Sequence, residues 1–138
     1  MKKVVLATDG GCSRNPGYMS LGILLMEDGN VVKQITRKIG WGTNNQAECS
    51  ALLEGIHQAK ELGYTDIEAK TDSELLSNHY KGAYRLKNKE LKEIHKQIKY
   101  AVKDFDSFKL SWHRRDTPLA QAADALTRGI TDLSEFLV

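Results

Sequence analysis

Eighteen acidic side chains are spread along 138 residues, and four of them sit where a carboxylate needs a reason. Asp9 follows a β-rich run in Ala7-Thr8-Asp9-Gly10-Gly11, and Asp72 follows another in Lys70-Thr71-Asp72-Ser73. Ligands of mixed α/β sheets gather near the carboxyl ends of parallel strands. If the two runs are parallel neighbours, Asp9 and Asp72 lie about 5 Å apart across the sheet. Carboxylates that close must share a proton or a cation. A turn role for Asp9 or a cap role for Asp72 accounts for either residue alone, but poorly for both at matching strand ends. Glu48, one turn into the helical segment Asn44-Asn45-Gln46-Ala47-Glu48, can reach the pair. Asp124 interrupts the alanine-rich run Ala122-Ala123-Asp124-Ala125-Leu126, where a weak helix former is not an obvious choice for helix stability. An oxygen-only cluster of this kind suits Mg²⁺ or Mn²⁺, not zinc.

The elements that must position these acids can be read from periodicity. Lys3 to Thr8, Leu21 to Met26 and Val31 to Ile39 read as three strands, and Glu27-Asp28-Gly29-Asn30 marks a hairpin between the second and third. From Asn44 to Leu62 the period changes. Ala47, Ala51, Leu52, Ile56 and Ala59 make one helical stripe, capped by Thr43 or Asn44 and ended by Gly63. Asp66 to Thr71 is a fourth strand, parallel to a sheet neighbour because a long helix leads to it. Short and long helices over Ser73 to Tyr80 and Asn88 to Asp104 follow, the first broken at Lys81-Gly82-Ala83. Phe108 to Trp112 is a fifth strand, and a last helix opens at Thr117-Pro118 and runs to about Thr127. The order β-β-β-α-β-α-α-β-α predicts an α/β fold: a five-stranded mixed sheet, three antiparallel strands and then parallel ones, flanked by helices.

Length predicts a single domain over residues 1–138. The net charge of +2 is too small for nucleic-acid binding by overall charge alone, so any such binding needs Lys and Arg clustered on one face. No apolar run reaches membrane-spanning length, and the apolar start is broken at Asp9, too soon for a signal-peptide core. Cys12 and Cys49 lack both disulfide density and C-x-x-C spacing. A cytoplasmic protein is expected, with no membrane contact. No obligate protein partner is evident, and a monomer is the default.

Four motifs resemble those of type 1 ribonuclease H. They are Thr8-Asp9-Gly10-Gly11 with Asn15-Pro16-Gly17, Thr43-Asn44-Asn45-Gln46-Ala47-Glu48, Thr71-Asp72-Ser73, and Ala122-Ala123-Asp124-Ala125-Leu126, in family order over residues 8 to 126. Thr-Asp-Gly alone is common; the four together are specific. The resemblance implies a metal-dependent endonuclease that hydrolyses the RNA strand of RNA–DNA hybrids. It implies two Mg²⁺ per site, with Mn²⁺ as a substitute, held by Asp9, Glu48, Asp72 and Asp124. In this pattern Asp9 bridges the ions, Asp72 helps place the attacking water, and Glu48 is placed to contact a ribose 2′-hydroxyl, the group that tells RNA from DNA. Asn15, Asn44 and Asn45 fit minor-groove contacts, since an amide both donates and accepts. Gly10 and Gly11 allow close backbone approach to a ribose–phosphate chain.

The sequence also departs from the family pattern. Position 74 is Glu where the family usually has Gln, which adds negative charge near a nucleic-acid groove. In Trp112-His113-Arg114-Arg115-Asp116-Thr117-Pro118-Leu119-Ala120, no His follows position 113, so His113, Arg114 and Arg115 are the candidates for an auxiliary role. His57, His79 and His95 read as surface or core residues. The chain resembles short members without the inserted basic helix. Lys87, Lys89, Lys92, Lys96, Lys99 and Lys103 can partly replace that insertion or simply form a solvated face. Two other readings compete: a catalytically weak binding module of the same fold, and a DNA-directed nuclease of the wider superfamily. The four retained acids argue against the first, and Asn-Asn-x-x-Glu argues against the second.

Overall fold

Strand β1 (Lys3–Cys12) is the hinge between two kinds of pairing. In the computed structural model, which describes residues 2–82 and 88–137, it joins β2 (Gly17–Glu27) and β3 (Asn30–Gly42) in an antiparallel meander. The β2–β3 hairpin turns through Asp28 and Gly29, both at positive φ, as a tight two-residue turn requires. On the other edge of β1, β4 (Asp66–Thr71) and β5 (Ser107–Trp112) add in parallel, giving the order β3-β2-β1-β4-β5. The expected five-stranded mixed sheet is therefore present.

The three meander strands are longer than their sequence signals, while β4 matches its own. β1 does not stop at Thr8. Its parallel ladder with β4 ends at the pair Thr8–Thr71, but antiparallel bonding to β2 continues through Asp9–Gly22 to Cys12–Met19. β2 opens at Gly17 rather than Leu21, and β3 runs on to Gly42 rather than ending at Ile39. Asp9 is thus the first residue of β1 without a parallel partner, and Asp72 is the residue immediately after β4.

Helix α1 (Asn44–Glu61) opens with a capping box: the Thr43 hydroxyl accepts from the Gln46 N–H, and the Gln46 side chain accepts from the Thr43 N–H. Ser73 caps α2 (Glu74–Tyr80), and Asn88 caps α3 (Lys89–Ala101), which ends in a 3₁₀ turn at Val102–Asp104 instead of continuing as α-helix. α4 (Pro118–Thr127) has proline in its first turn. Ala83 and Lys87 lie outside the described residues.

Alternation along β1 sends Leu6 and Ala7 to opposite faces. On one face Val4, Leu6, Ile23, Leu25 and Ile67 pack with Leu52 and Ile56 of α1 and Ile98 of α3. On the other, Ala7 and Leu24 meet Ala122, Ala123, Ala125 and Leu126 of α4. His95 is buried at the α1–α3 seam, 3.5 Å from the Cys49 thiol. Among the described residues no helix is long and apolar enough to cross a membrane.

Candidate active site

Two glycines let the acid-bearing helices approach the sheet. A Cβ on Gly10 would lie 2.4 Å from the Ala47 carbonyl and 2.6 Å from the Glu48 nitrogen. The first turn of α1 therefore rests on bare β1 backbone, which brings Glu48 beside Asp9. A Cβ on Gly22 would lie 2.1 Å from the Ala123 carbonyl oxygen. Gly22 is the cross-strand partner of Asp9, so α4 is seated directly beside that residue. The close approach expected of Gly10 is thus made to a helix of the same chain, whereas a Cβ on Gly11 would meet open space. Gly22 gives no such signal in sequence, since it lies inside an apolar strand away from any acid.

Asp9, Glu48 and Asp72 converge, each offering one oxygen within 4.8 Å of the others. They line a groove of about 910 Å³ together with Asn15, Asn44, Asn45 and Asp124. Asp124 comes from the opposite helix. It hydrogen-bonds the Asp9 side chain and pairs with Arg128 at 3.2 Å. All four predicted acids therefore face one groove, three of them as a tight cluster.

Burial, and then the charges of Asp72, Asp124 and Glu48, push the Asp9 carboxyl up to about 8. Burial likewise pushes Glu48 up to about 7, against a hydrogen bond from Ser73 that favours its charged form. Asp72 Oδ1 is buried with no hydrogen-bond partner among the described residues, while its Oδ2 lies 3.5 Å from Arg115 Nε. A crowded carboxylate cluster in which burial and neighbouring charge raise Asp9 and Glu48, with one orphaned buried oxygen, fits a divalent cation site, and oxygen donors alone select a hard ion.

The three auxiliary candidates separate in space. Arg115 lines the groove beside Asp72. Arg114 turns away to Asp116 at 2.9 Å. His113 is half-buried, its backbone N–H bonded to the Thr71 carbonyl and its Nε2 buried without a partner among the described residues. Burial also holds the His113 imidazole below its ordinary range. The asparagines are partly committed to the fold: Asn44 Oδ1 accepts from the Cys12 N–H at 3.0 Å, and Asn15 Oδ1 accepts from the Asn44 N–H at 3.1 Å. Their amide NH₂ groups are left as donors. Sequence reasoning passed over Trp112, whose indole N–H donates to the Asp72 carbonyl, and Ser73, which both caps α2 and holds Glu48. Glu74 lies on the groove wall, exposed.

A family profile described as reverse transcriptase-like matches residues 7–128, which takes in all four motifs. The chain belongs to the type 1 ribonuclease H family. Its fold superposes on RNase H1 from the halophilic archaeon Halobacterium salinarum with a TM-score of 0.88 at 30% identity, covering 93% of this chain and 96% of that one. The N-terminal RNase H domain of Rv2228c from Mycobacterium tuberculosis matches with a TM-score of 0.88 at 28% identity, over 96% and 95% of the two chains. LC11-RNase H1, in complex with an RNA/DNA hybrid, matches with a TM-score of 0.84 at 27% identity, over 94% and 96%. In sequence, the ribonuclease HI of Halobacterium salinarum is 32% identical over 125 residues, which is 90% of this chain. The chain spans 62% of the length of that ribonuclease HI.

Proposed function

We propose that the chain, working as one domain over residues 1–138, is a ribonuclease H that hydrolyses the RNA strand of RNA–DNA hybrids with two divalent ions. The observation that carries this reading is the convergence of Asp9, Glu48 and Asp72 within 4.8 Å in an open groove, with Asp124 reaching Asp9 from α4. The likeness to LC11-RNase H1 in complex with an RNA/DNA hybrid supports the substrate class.

Asp9, Glu48, Asp72 and Asp124 would hold Mg²⁺, or Mn²⁺ in its place. When bound, the ions supply the charge that makes water a nucleophile at neutral pH and stabilises the leaving 3′ oxygen. The protein's own work is positional. With its pKa near 8, Asp9 carries a proton at neutral pH in the metal-free protein, so loading the site releases protons. Ser73 hydrogen-bonds the Glu48 carboxylate, and on this reading Glu48 would contact a ribose 2′-hydroxyl. Arg115 offsets part of the charge on Asp72 and leaves its second oxygen for a cation. Asn15 and Asn44 present amide donors, and minor-groove base edges offer acceptors at every base pair, so the contact demands no single sequence.

The test is incubation with labelled RNA–DNA hybrid, duplex RNA, duplex DNA and single-stranded RNA, with and without Mg²⁺ or Mn²⁺. Cleavage of the RNA strand of the hybrid, dependent on the ion, is the expected result. Cleavage of duplex DNA at a comparable rate would overturn the proposal.

A further inference from the structure

Beside the acidic groove lies a second one, of about 790 Å³, on the α4 face of the sheet. Its floor is a row of paired positions across three strands: Gly11 on β1, Ser20 on β2 and Lys38 on β3. The neighbouring row is Asp9, Gly22 and Thr36, where α4 is seated and the Thr36 hydroxyl donates to the Leu126 carbonyl. The floor is therefore the first row that α4 leaves uncovered, and Asp124, Thr127 and Arg128 form the wall beside it.

Three properties decide what fits here. The groove is continuous with the acidic one, since Gly11, Asp124 and Thr127 line both. It is cationic: Arg128 is engaged with Asp124, while exposed Lys38 has no carboxylate partner among the described residues. It also carries Tyr18, 68% exposed and held edge-on against Trp41, itself 62% exposed, with ring centroids 5.2 Å apart. Two large aromatics left in solvent beside an unpaired lysine are costly for a purely structural surface and suited to a nucleic-acid backbone. The spacing agrees. Gly11 stands two residues beyond Asp9, about 7 Å along the strand, and a duplex advances about 3.4 Å per base on its axis.

We propose that this groove is a subsite for the cut strand as it leaves the metal centre, with Lys38 neutralising a phosphate about two nucleotides from the cut and Tyr18 lying against the adjoining sugar. The proposal rests on the ribonuclease H reading above and extends its substrate footprint past the four acids.

The experiment measures affinity by fluorescence anisotropy, without divalent ions, for hybrids whose RNA strand is lengthened stepwise from a centred cleavage position, in the 3′ and the 5′ direction separately. Cleavage of the same substrates is followed in parallel with Mg²⁺. Lengthening in one direction should raise affinity several-fold over about two nucleotides. Lys38→Gln should remove that rise and lower the salt slope of binding by roughly 0.7 to 0.9, the contribution of one phosphate contact. Tyr18→Ser should reduce the rise at unchanged salt slope. Lys109→Gln, the same change at an exposed lysine of β5 outside both grooves, should do neither. A rise that survives Lys38→Gln, no rise in either direction, or equal effects of Lys38→Gln and Lys109→Gln overturns the subsite while hybrid cleavage by the wild type stands. If the wild type neither binds nor cleaves any hybrid, the ribonuclease H reading fails and the subsite falls with it.

Discussion

At the scale of single residues, the site is a set of repelling carboxylates held together by the fold. Asp9→Asn and Asp72→Asn should each abolish most hybrid cleavage, because each removes a donor from a cluster whose oxygens lie within 4.8 Å. Both should also raise the melting temperature of the metal-free protein, by roughly 4 °C for each kcal/mol of repulsion relieved. Cleavage and thermal melting measured on the same preparations check both halves, and near wild-type cleavage by either variant would remove that residue from the centre. The four acids stand out in the sequence by position: Asp9 and Asp72 follow strand signals directly, Glu48 lies one turn into a helix that can reach them, and Asp124 interrupts alanines. The division of labour among His113, Arg114 and Arg115 was not legible. A short loop has no period, so nothing in its sequence says which of three adjacent cations turns toward Asp72 and which toward Asp116 or the interior.

At the scale of elements, the acids are placed by contacts that contain no acid. Gly22→Ala puts a methyl against the Ala123 carbonyl, and Gly10→Ala puts one against the backbone of Ala47 and Glu48. Each should cost about 1–3 kcal/mol as an overpacked contact. Each should also lower cleavage by about 10²-fold, since displacements near 1 Å suffice for that. Denaturant titration and steady-state rates test this, and unchanged rates at normal stability would show that the helices tolerate the shift. Helix α3 makes a separate claim. Lys92, Lys96 and Lys99 are exposed, although Lys99 also donates to the Tyr80 carbonyl and lies over its ring. Replacing all three by Gln should flatten the salt dependence of hybrid binding if the helix supplies phosphate contacts. An unchanged slope would make it a solvated face. Helices were well marked in sequence, because stripes and caps such as Thr43 are local. Strand lengths were under-read, since Asp9 to Cys12 and Gly17 to Ser20 pair through backbone and carry little apolar signal.

At the scale of the whole molecule, the raised acids couple the site to stability. An unfolded chain gives up the protons of Asp9 and Glu48 at their ordinary values of 3.8 and 4.5, whereas the folded chain keeps them to about 8 and about 7. The folded state thus binds more protons over that interval, and these groups lower stability as pH rises from about 4 to 8. The loss approaches about 1.4 kcal/mol per pH unit for each proton retained only in the folded state. Metal-free melting temperatures should fall across this range. Asp9→Asn should flatten the fall, and Mg²⁺ should oppose it at the alkaline end. A profile in wild type identical to that of Asp9→Asn would show that Asp9 titrates normally. Substrate choice is also a property of the whole groove. With Glu48 beside Asp9 and Asp72 and asparagine donors further along, a DNA strand carrying one to five ribonucleotides, paired with DNA, should be cut only when several are consecutive. Equal cutting of an all-DNA duplex would favour the DNA-directed alternative.

The alanine seam between α4 and Gly22 has a consequence for the order in which the molecule assembles. Asp9, Glu48 and Asp72 all belong to the β1–α1–β4 unit, whose layer is packed with leucine and isoleucine. Asp124 alone is carried by α4, which comes later in the chain and packs its alanines and Leu126 against Ala7, Leu24 and Leu133, with a bond from Thr36 to Leu126. This layer is the smaller of the two that cover the sheet and buries less apolar surface, so α4 should open while the rest stays folded. A chain in that state keeps three carboxylates gathered and lacks the fourth. Amide hydrogens of residues 120–127 should then exchange through a cheaper opening than those of β1, and the complete four-acid site becomes the last feature gained in folding and the first lost in local unfolding.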